Sequence, residues 1–192
     1  MHRYALAATF ALALCMPSVS EAAGKVVTGT ISGAVSASDV TAGACAAVVD
    51  ANGTDNYDTM CPPADIANCK CINASHLILS GGFGRGTANL IATADETTTL
   101  QTANDVSACS PAFAVVTLSI SARGKIPAKT QTLNALGAVC GTAGTTTVNV
   151  LGGFSIEGSS SNPAASGSGI FTGTVSTTGS VSVKLTGLIN NP

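Results

Sequence analysis

The sequence predicts an all-β protein, a disulfide-braced antiparallel β-sandwich in a single domain. Gly, Thr and Ser make up about a third of the 192 residues, 9% of the residues are charged, and 4% are aromatic. Such a composition favours short strands joined by turns. Several segments alternate apolar and polar residues with a period of two, which is typical of strands with one face on a core. Their spacing along the chain predicts two packed sheets.

The first residues are typical of an export signal. His2 and Arg3 form a short basic region, an apolar region runs from Ala5 to Cys15, and Ser18-Val-Ser20 or Ser20-Glu-Ala22 provides a small-residue cleavage site. We therefore predict a signal peptide over residues 1–22. The mature domain, 23–192, is expected to be secreted, periplasmic or at the cell surface. No apolar run reaches the ~18 residues that a spanning helix needs, so we expect no integral membrane segment.

The first half of the mature chain contains a strand and a hairpin. In 27–35, Val, Ile or Gly alternates with Thr or Ser at most positions, which places the apolar residues on one face. Segments 75–80 and 87–93 flank the glycine-rich segment 81–86. Its glycines supply the positive backbone angles that a hairpin connection needs, so we expect these two strands to pair antiparallel.

The second half contains a long strand and a second hairpin. Segment 113–122 is the longest strand candidate, with Val116, Leu118 and Ile120 facing inward. Strands are also predicted at 145–151, 170–176 and 180–188, and Thr177-Thr178-Gly179 forms a compact turn between the last two. Segment 158–169 shows no apolar period and predicts a long flexible loop. Short helical turns are predicted at 40–49, 62–69 and 130–136.

The cysteines predict disulfides. Removal of the signal peptide removes Cys15 and leaves six cysteines, an even number in an exported chain. A faint internal repeat relates 37–45 to 103–109 and 79–83 to 150–154, which suggests two related halves. On that basis we hypothesise the bridges Cys45–Cys71, Cys109–Cys140 and Cys61–Cys69, out of fifteen connectivities that six cysteines allow.

The titratable side chains give little basis for catalysis. His76 is the only histidine of the mature chain, and no Gly-x-Ser-x-Gly elbow exposes a serine nucleophile. We expect His76 on the solvent face of its strand, with Leu77 and Leu79 on the opposite face. The sequence therefore predicts that the protein is not an enzyme and uses no cofactor.

The densest polar cluster is a calcium candidate. Segment 50–58 combines carboxylate and amide oxygens, which calcium prefers. It departs from the EF-hand pattern, because its glycine comes two positions early and Cys61 stands where a bidentate Glu is needed. The alternative is an ordinary solvated turn. The candidate ligands are Asp50, Asn52, Asp55 and Asp58.

The composition also bears on partners. Aromatic residues for stacking are few, and the cations are scattered apart from those in 123–129, so we expect no nucleic-acid binding. Long strands with low charge invite pairing at exposed sheet edges. A protein partner, or self-association through strand edges, is therefore expected.

The chain resembles the fimbrial subunits of the chaperone–usher type. The resemblance rests on the leader, the alternating segment 27–35 with Gly29 and Gly33, and Cys45 in a Thr/Ala/Gly-rich chain, and it covers mainly 24–50. It implies a pilin-like or immunoglobulin-like sandwich whose N-terminal segment adds a strand to a neighbouring subunit. The chain departs from that family in its six mature cysteines, where two are usual, and in the lack of an aromatic residue near its C-terminus.

Three function classes follow. The first is a non-enzymatic secreted or cell-surface protein with a structural or adhesive role, such as a pilin-like subunit. The second is an extracellular binding module for calcium, a carbohydrate or a protein. The third, which the scarcity of titratable groups disfavours, is a hydrolase.

Overall fold

The regular elements of the described chain are strands. A computed structural model describes residues 24–36, 39–42, 69–95, 100–101, 107–142, 146–158, 165–176 and 179–190. In those ranges, no helix has the length and the apolar character needed to cross a membrane. The strands are β1 (Lys25–Ala34), β2 (Val40–Ala42), β3 (Cys69–Gly81), β4 (Gly86–Asp95), β5 (Leu100–Gln101), β6 (Ser107–Ile120), β7 (Lys129–Thr142), β8 (Thr147–Glu157), β9 (Ser166–Ser176) and β10 (Ser180–Asn190).

Eight of these strands close into an antiparallel barrel. Around the wall the order is β1, β10, β9, β8, β7, β6, β4, β3, and β1 then pairs with β3. Ile31 lies opposite Val183 of β10 on one side and opposite Leu79 of β3 on the other. The short strands β2 and β5 pair with β3 and β6 outside this circuit. The predicted β-sandwich is therefore wrong, because the first strand joins the two ends of a single sheet.

The error has a physical cause. Alternation indicates which segments are strands, but it does not indicate which partner the first strand finds, and the β1–β3 contact joins segments far apart in sequence. Closure pairs both edges of all eight barrel strands over at least part of their length, and only closure removes sheet edges altogether.

Apolar side chains fill the barrel. The inward positions of successive strands supply one contiguous core, as expected for eight strands, whose interior is just wide enough for side chains. The rings of Phe83 and Phe154 meet edge to face there, with their centroids 5.9 Å apart. Other core residues are Val27, Ile31, Leu77, Leu79, Leu118, Leu133, Ile156, Val181, Leu185 and Ile189.

Part of the wall is lined by glycine instead of aliphatic residues. Gly169 of β9 lies opposite Phe154 of β8, and Gly152 of β8 lies opposite Phe171 of β9. A Cβ on Gly169 would lie 2.6 Å from Cζ of Phe154, and a Cβ on Gly187 would lie 2.8 Å from the same atom. Each ring therefore occupies the space that a neighbouring strand leaves empty, an arrangement known to stabilise glycine in sheets.

Both predicted hairpins are confirmed, as β3–β4 and β9–β10. The inward positions of Val116, Leu118 and Ile120 in β6 are confirmed as well. The helical turn at 130–136 is wrong, because these residues lie in β7, where Leu133 and Ala135 face the core. The loop at 158–169 is wrong from Ser166 onward, since β9 begins there with glycines on its inward positions.

The repeated Gly-Gly-Phe segments adopt different conformations. Gly81 ends β3 with φ +96° and leads into the turn before β4, whereas Gly152 lies inside β8. The two segments are not structurally equivalent, so the expectation of two related halves is wrong at this pair. Segments 37–45 and 103–109 lie largely outside the described residues.

One hypothesised bridge is confirmed. Cys109 of β6 and Cys140 of β7 lie directly opposite each other and form a disulfide. Cys69 and Cys71 each take part in a disulfide as well. Cys45 and Cys61 lie outside the described residues, so the bridges Cys45–Cys71 and Cys61–Cys69 stay predictions.

Candidate functional site

The predicted calcium ligands lie outside the described residues. These are Asp50, Asn52, Asp55 and Asp58. Within the part of the chain that the structure describes, no group of three or more His, Cys, Asp or Glu side chains is arranged to hold a metal ion. The calcium candidate therefore stays a prediction.

His76 occupies a β-bulge in the barrel wall. Pairing between β3 and β4 shifts register between Ala74 and Leu77, and His76 takes φ +60°, an uncommon conformation for a residue other than glycine. Its backbone N–H donates to Oδ1 of Asn89 at 3.1 Å, and Nδ1 lies 3.0 Å from Oγ of Ser75. The expected solvent exposure of His76 and burial of Leu77 and Leu79 are confirmed.

The bulge explains why two successive inward residues of β3 are three positions apart instead of two. Ala74 and Leu77 both face the core although they are three residues apart, because the bulge adds one residue to β3. The side chain of Asn89 holds that extra residue in place by accepting a hydrogen bond from its backbone N–H. The cluster Ser75–His76–Asn89 thus has a structural explanation.

One end of the barrel collects most of the described cations. We call it the basic end: the end at which β3 is joined to β4 and β6 to β7. Gly86 lies opposite Ile120, and Ile120 opposite Lys129, so these two connections are neighbours. The N–H of Ser121 donates to the carbonyl of Arg85 at 2.8 Å, which joins them directly. The cations at this end are Lys25, Arg85, Arg123, Lys125 and Lys129.

The described acidic residues are distributed differently. Asp95 ends β4 at the opposite end, and Asp39 follows β1 there. Glu157, the last residue of β8, is the acidic residue of the described chain at the basic end, and its Oε2 is buried. Counted over the described residues, five cations and one carboxylate leave a net positive charge at this end.

A shallow cleft of about 370 Å³ opens at the basic end. Thr87, Ser119 and Thr130 lie side by side on neighbouring strands along it. Lys129 lines the same cleft, and partial burial lowers the pKa of its ammonium group. Two residues further along β7, Gln131 is 2% exposed, and its Nε2 has no hydrogen-bond partner. Hydroxyls and an ammonium group in one cleft suit a polar or anionic ligand.

Sequence reasoning missed this site. The cations are far apart in the chain and were regarded as scattered, apart from those in 123–129. The signal that identifies them is topological: in an up-and-down barrel, alternate connections come to the same end. Arg85 and the pair Arg123 and Lys125 lie in two such connections, and Lys25 and Lys129 begin strands there.

Comparisons of the chain with protein-family models, with curated proteins and with solved structures gave no match.

Proposed function

We propose that the protein is an exported, non-enzymatic component of the cell surface with a structural or adhesive role. The observation that carries the proposal is the filled barrel: the interior is occupied by apolar side chains, so contacts with a partner fall to the outer wall and the two ends. The Cys109–Cys140 bridge supports export, because disulfides persist in oxidising compartments.

The structure favours a role without strand exchange. In the pilin-like version of the proposal, the first strand is donated to a neighbouring subunit. Here β1 is paired with β10 along its length and with β3 at 29–32, so donation would open the barrel. Contacts through a preformed surface need no such opening.

Localisation and loss of function test the proposal together. Intact cells of the source organism are labelled with an antibody to the chain, and cells lacking the gene are compared with complemented cells for attachment and envelope integrity. Surface labelling with a defect restored by complementation is expected. A cytoplasmic protein with reduced thiols, or catalytic turnover that His76→Ala abolishes, would contradict the proposal.

An extracellular binding module is the second candidate, and the cleft is the observation that favours it. Lys129, beside the hydroxyls of Thr87 and Ser119, suits a ligand that carries hydroxyl or acidic groups. A screen of acidic sugars by thermal shift tests this candidate. A shift in wild type that Lys129→Ala removes is expected; shifts that Lys184→Ala removes equally would contradict it, because Lys184 lies in mid-wall on β10.

A further inference from the structure

Exposed aliphatic side chains accompany the cations at the basic end. Ile126, in the β6–β7 connection, is 60% exposed. Val26 and Leu188 lie directly opposite each other near the same end, on β1 and β10, and are 66% and 48% exposed. Exposed aliphatic residues also occur elsewhere on the wall, such as Leu136, Leu151 and Ile170, so the distinguishing feature of this end is that aliphatic side chains and cations lie together.

The connection that carries Ile126 is held in a defined shape. The N–H of Arg123 donates to the carbonyl of Ile126 at 3.0 Å, and the N–H of Ile126 donates back to Arg123 at 3.0 Å. Gly124 takes φ +59° inside this tight turn. The turn therefore places Ile126 next to Arg123 and Lys125 in the β6–β7 connection.

The aliphatic residues and the cations lie around one rim. In the wall, β6 and β7 are separated from β1 and β10 by β8 and β9 on one side and by β3 and β4 on the other. Ile126 and the Val26–Leu188 pair thus lie on opposite sides of the rim, with Arg85 between them on the β3–β4 connection. Both groups of aliphatic residues therefore lie at the end of the barrel that carries the cations.

We propose that the basic end docks onto an anionic lipid surface, with Ile126 inserted at the headgroup boundary. A bilayer interface of this kind attracts cations electrostatically and accepts aliphatic side chains, and this rim offers both. The opposite end holds Asp39 and Asp95 with one cation, Lys70, so the difference in charge between the two ends would orient the barrel with its basic end toward the membrane. The inference is independent of the adhesive role and needs only that the protein is exported.

Other anionic partners fit the rim less well. An acidic polysaccharide or a nucleic acid would use the cations but would leave Ile126 in water. The scarcity of aromatic residues, 4% of the chain, also leaves few rings on which sugars or bases stack. The exposed aliphatic side chain therefore favours lipid over the polymers.

Vesicle co-sedimentation tests the proposal. The oxidised, exported protein is mixed with vesicles of phosphatidylglycerol and phosphatidylcholine in equal parts, and with vesicles of phosphatidylcholine alone. We expect binding to the first that salt weakens and little binding to the second. In Arg123→Gln/Lys125→Gln the affinity should fall roughly twenty-five-fold, at about fivefold for each charge. In Ile126→Ser it should fall at least about threefold.

Two wall residues provide matched controls. Lys184→Gln removes a cation, and Ile170→Ser removes an exposed aliphatic residue, both from mid-wall positions. These variants should bind as wild type does, and all variants should melt as wild type does, since every changed side chain is exposed.

Three results would overturn the proposal. The first is equal binding to the two kinds of vesicle. The second is an equal loss of binding in the wall variants. The third is an Ile126→Ser variant that binds as wild type does while a soluble sulfated polysaccharide competes fully, which would assign the rim to acidic polymers. Because cell-surface labelling is measured separately, failure of vesicle binding leaves the proposed surface role standing.

Discussion

The leucine-lined part of the barrel and the glycine-lined part fill the same interior in opposite ways. On β3, β6 and β7 the inward positions hold residues such as Leu77, Leu118 and Leu133, each of which occupies its own space. On β8, β9 and β10 the inward positions Gly152, Gly169 and Gly187 are glycine, and the rings of Phe154 and Phe171 cover these three. A barrel interior can therefore be filled with few large side chains if each of them occupies the space beside several glycines.

The two parts of the barrel differ in how well they tolerate the loss of a large side chain. When a leucine is truncated, neighbouring side chains can relax into part of the space. When Phe154 is truncated, the residues beneath it are Gly169 and Gly187, which have no side chains to move. The glycine-lined part therefore depends on single rings.

Phe154→Ala should cause the largest loss of stability. We expect the free energy of unfolding to fall by about 3–5 kcal/mol, because the lost ring also leaves two glycines uncovered. Leu118→Ala, in the leucine-lined part, should cost less, about 3 kcal/mol or below. Chemical denaturation of both variants measures the difference. A larger loss in Leu118→Ala than in Phe154→Ala would refute this account of the glycine-lined part.

Removal of the Cys109–Cys140 bridge should cost nearly as much. The cysteines are 31 residues apart in sequence, and closing a loop of that length contributes about 3.7 kcal/mol through the unfolded state. The double variant Cys109→Ser/Cys140→Ser should lose about this much in urea denaturation while the β-sheet circular dichroism signal persists. A stability equal to that of the oxidised wild type would contradict the prediction.

Two adjacent glycines of β8 differ in how much space surrounds them. A Cβ on Gly152, which faces inward, would lie 2.6 Å from Cα of Gly137 and 2.7 Å from Cζ of Phe171. A Cβ on Gly153, which faces outward, would meet only the carbonyl of Gly169, at 3.6 Å.

Gly152→Ala should therefore lower the free energy of unfolding by about 2 kcal/mol, since neighbouring strands must move. Gly153→Ala is the matched control, and it should be neutral or stabilising by up to about 1 kcal/mol. Thermal melting of the pair measures both effects. Equal melting temperatures would show that the ring over Gly152 is not packed as described.

The smallest expected effect is the loss of stability at low pH that comes from Asp39. The Asp39 carboxylate accepts the backbone N–H of Ser36 at 2.7 Å and its hydroxyl at 2.9 Å, and these hydrogen bonds lower the pKa of Asp39. The contribution to stability is thus present above the ordinary Asp pKa and is lost as pH falls through the lowered value.

Ser36→Ala removes the hydroxyl and keeps the backbone N–H, so the pKa of Asp39 should rise part of the way toward its ordinary value. An NMR titration of the Asp39 carboxyl carbon measures this change. An unchanged midpoint in Ser36→Ala would show that the hydroxyl does not contribute.

The two parts of the barrel also differ in how well the sequence predicts them. In β6, apolar residues alternate visibly, so the strand and the inward face of Leu118 follow from the pattern. At the start of β9, glycine alternates with serine, and the covering ring of Phe154 comes from another strand. No local pattern reveals such a ring, which is why Ser166 to Gly169 were predicted to be a loop.

Local sequence patterns also fail to predict the closure of the barrel and the clustering of cations at the basic end. The β1–β3 pairing that turns a sheet into a barrel is a contact between distant segments, and so is the meeting of Arg85 with the turn around Arg123. The Cys109–Cys140 bridge was predictable only through a repeat whose 79–83 and 150–154 segments prove structurally different.

Contacts of β1 measured by NMR distinguish a closed barrel from an open sheet. Inter-strand backbone contacts should appear from Ile31 both to Val183 and to Leu79, and the amides of 29–32 should be protected from hydrogen exchange. Contacts from Ile31 to Val183 alone, with none to Leu79, would contradict a closed barrel and restore an open sheet.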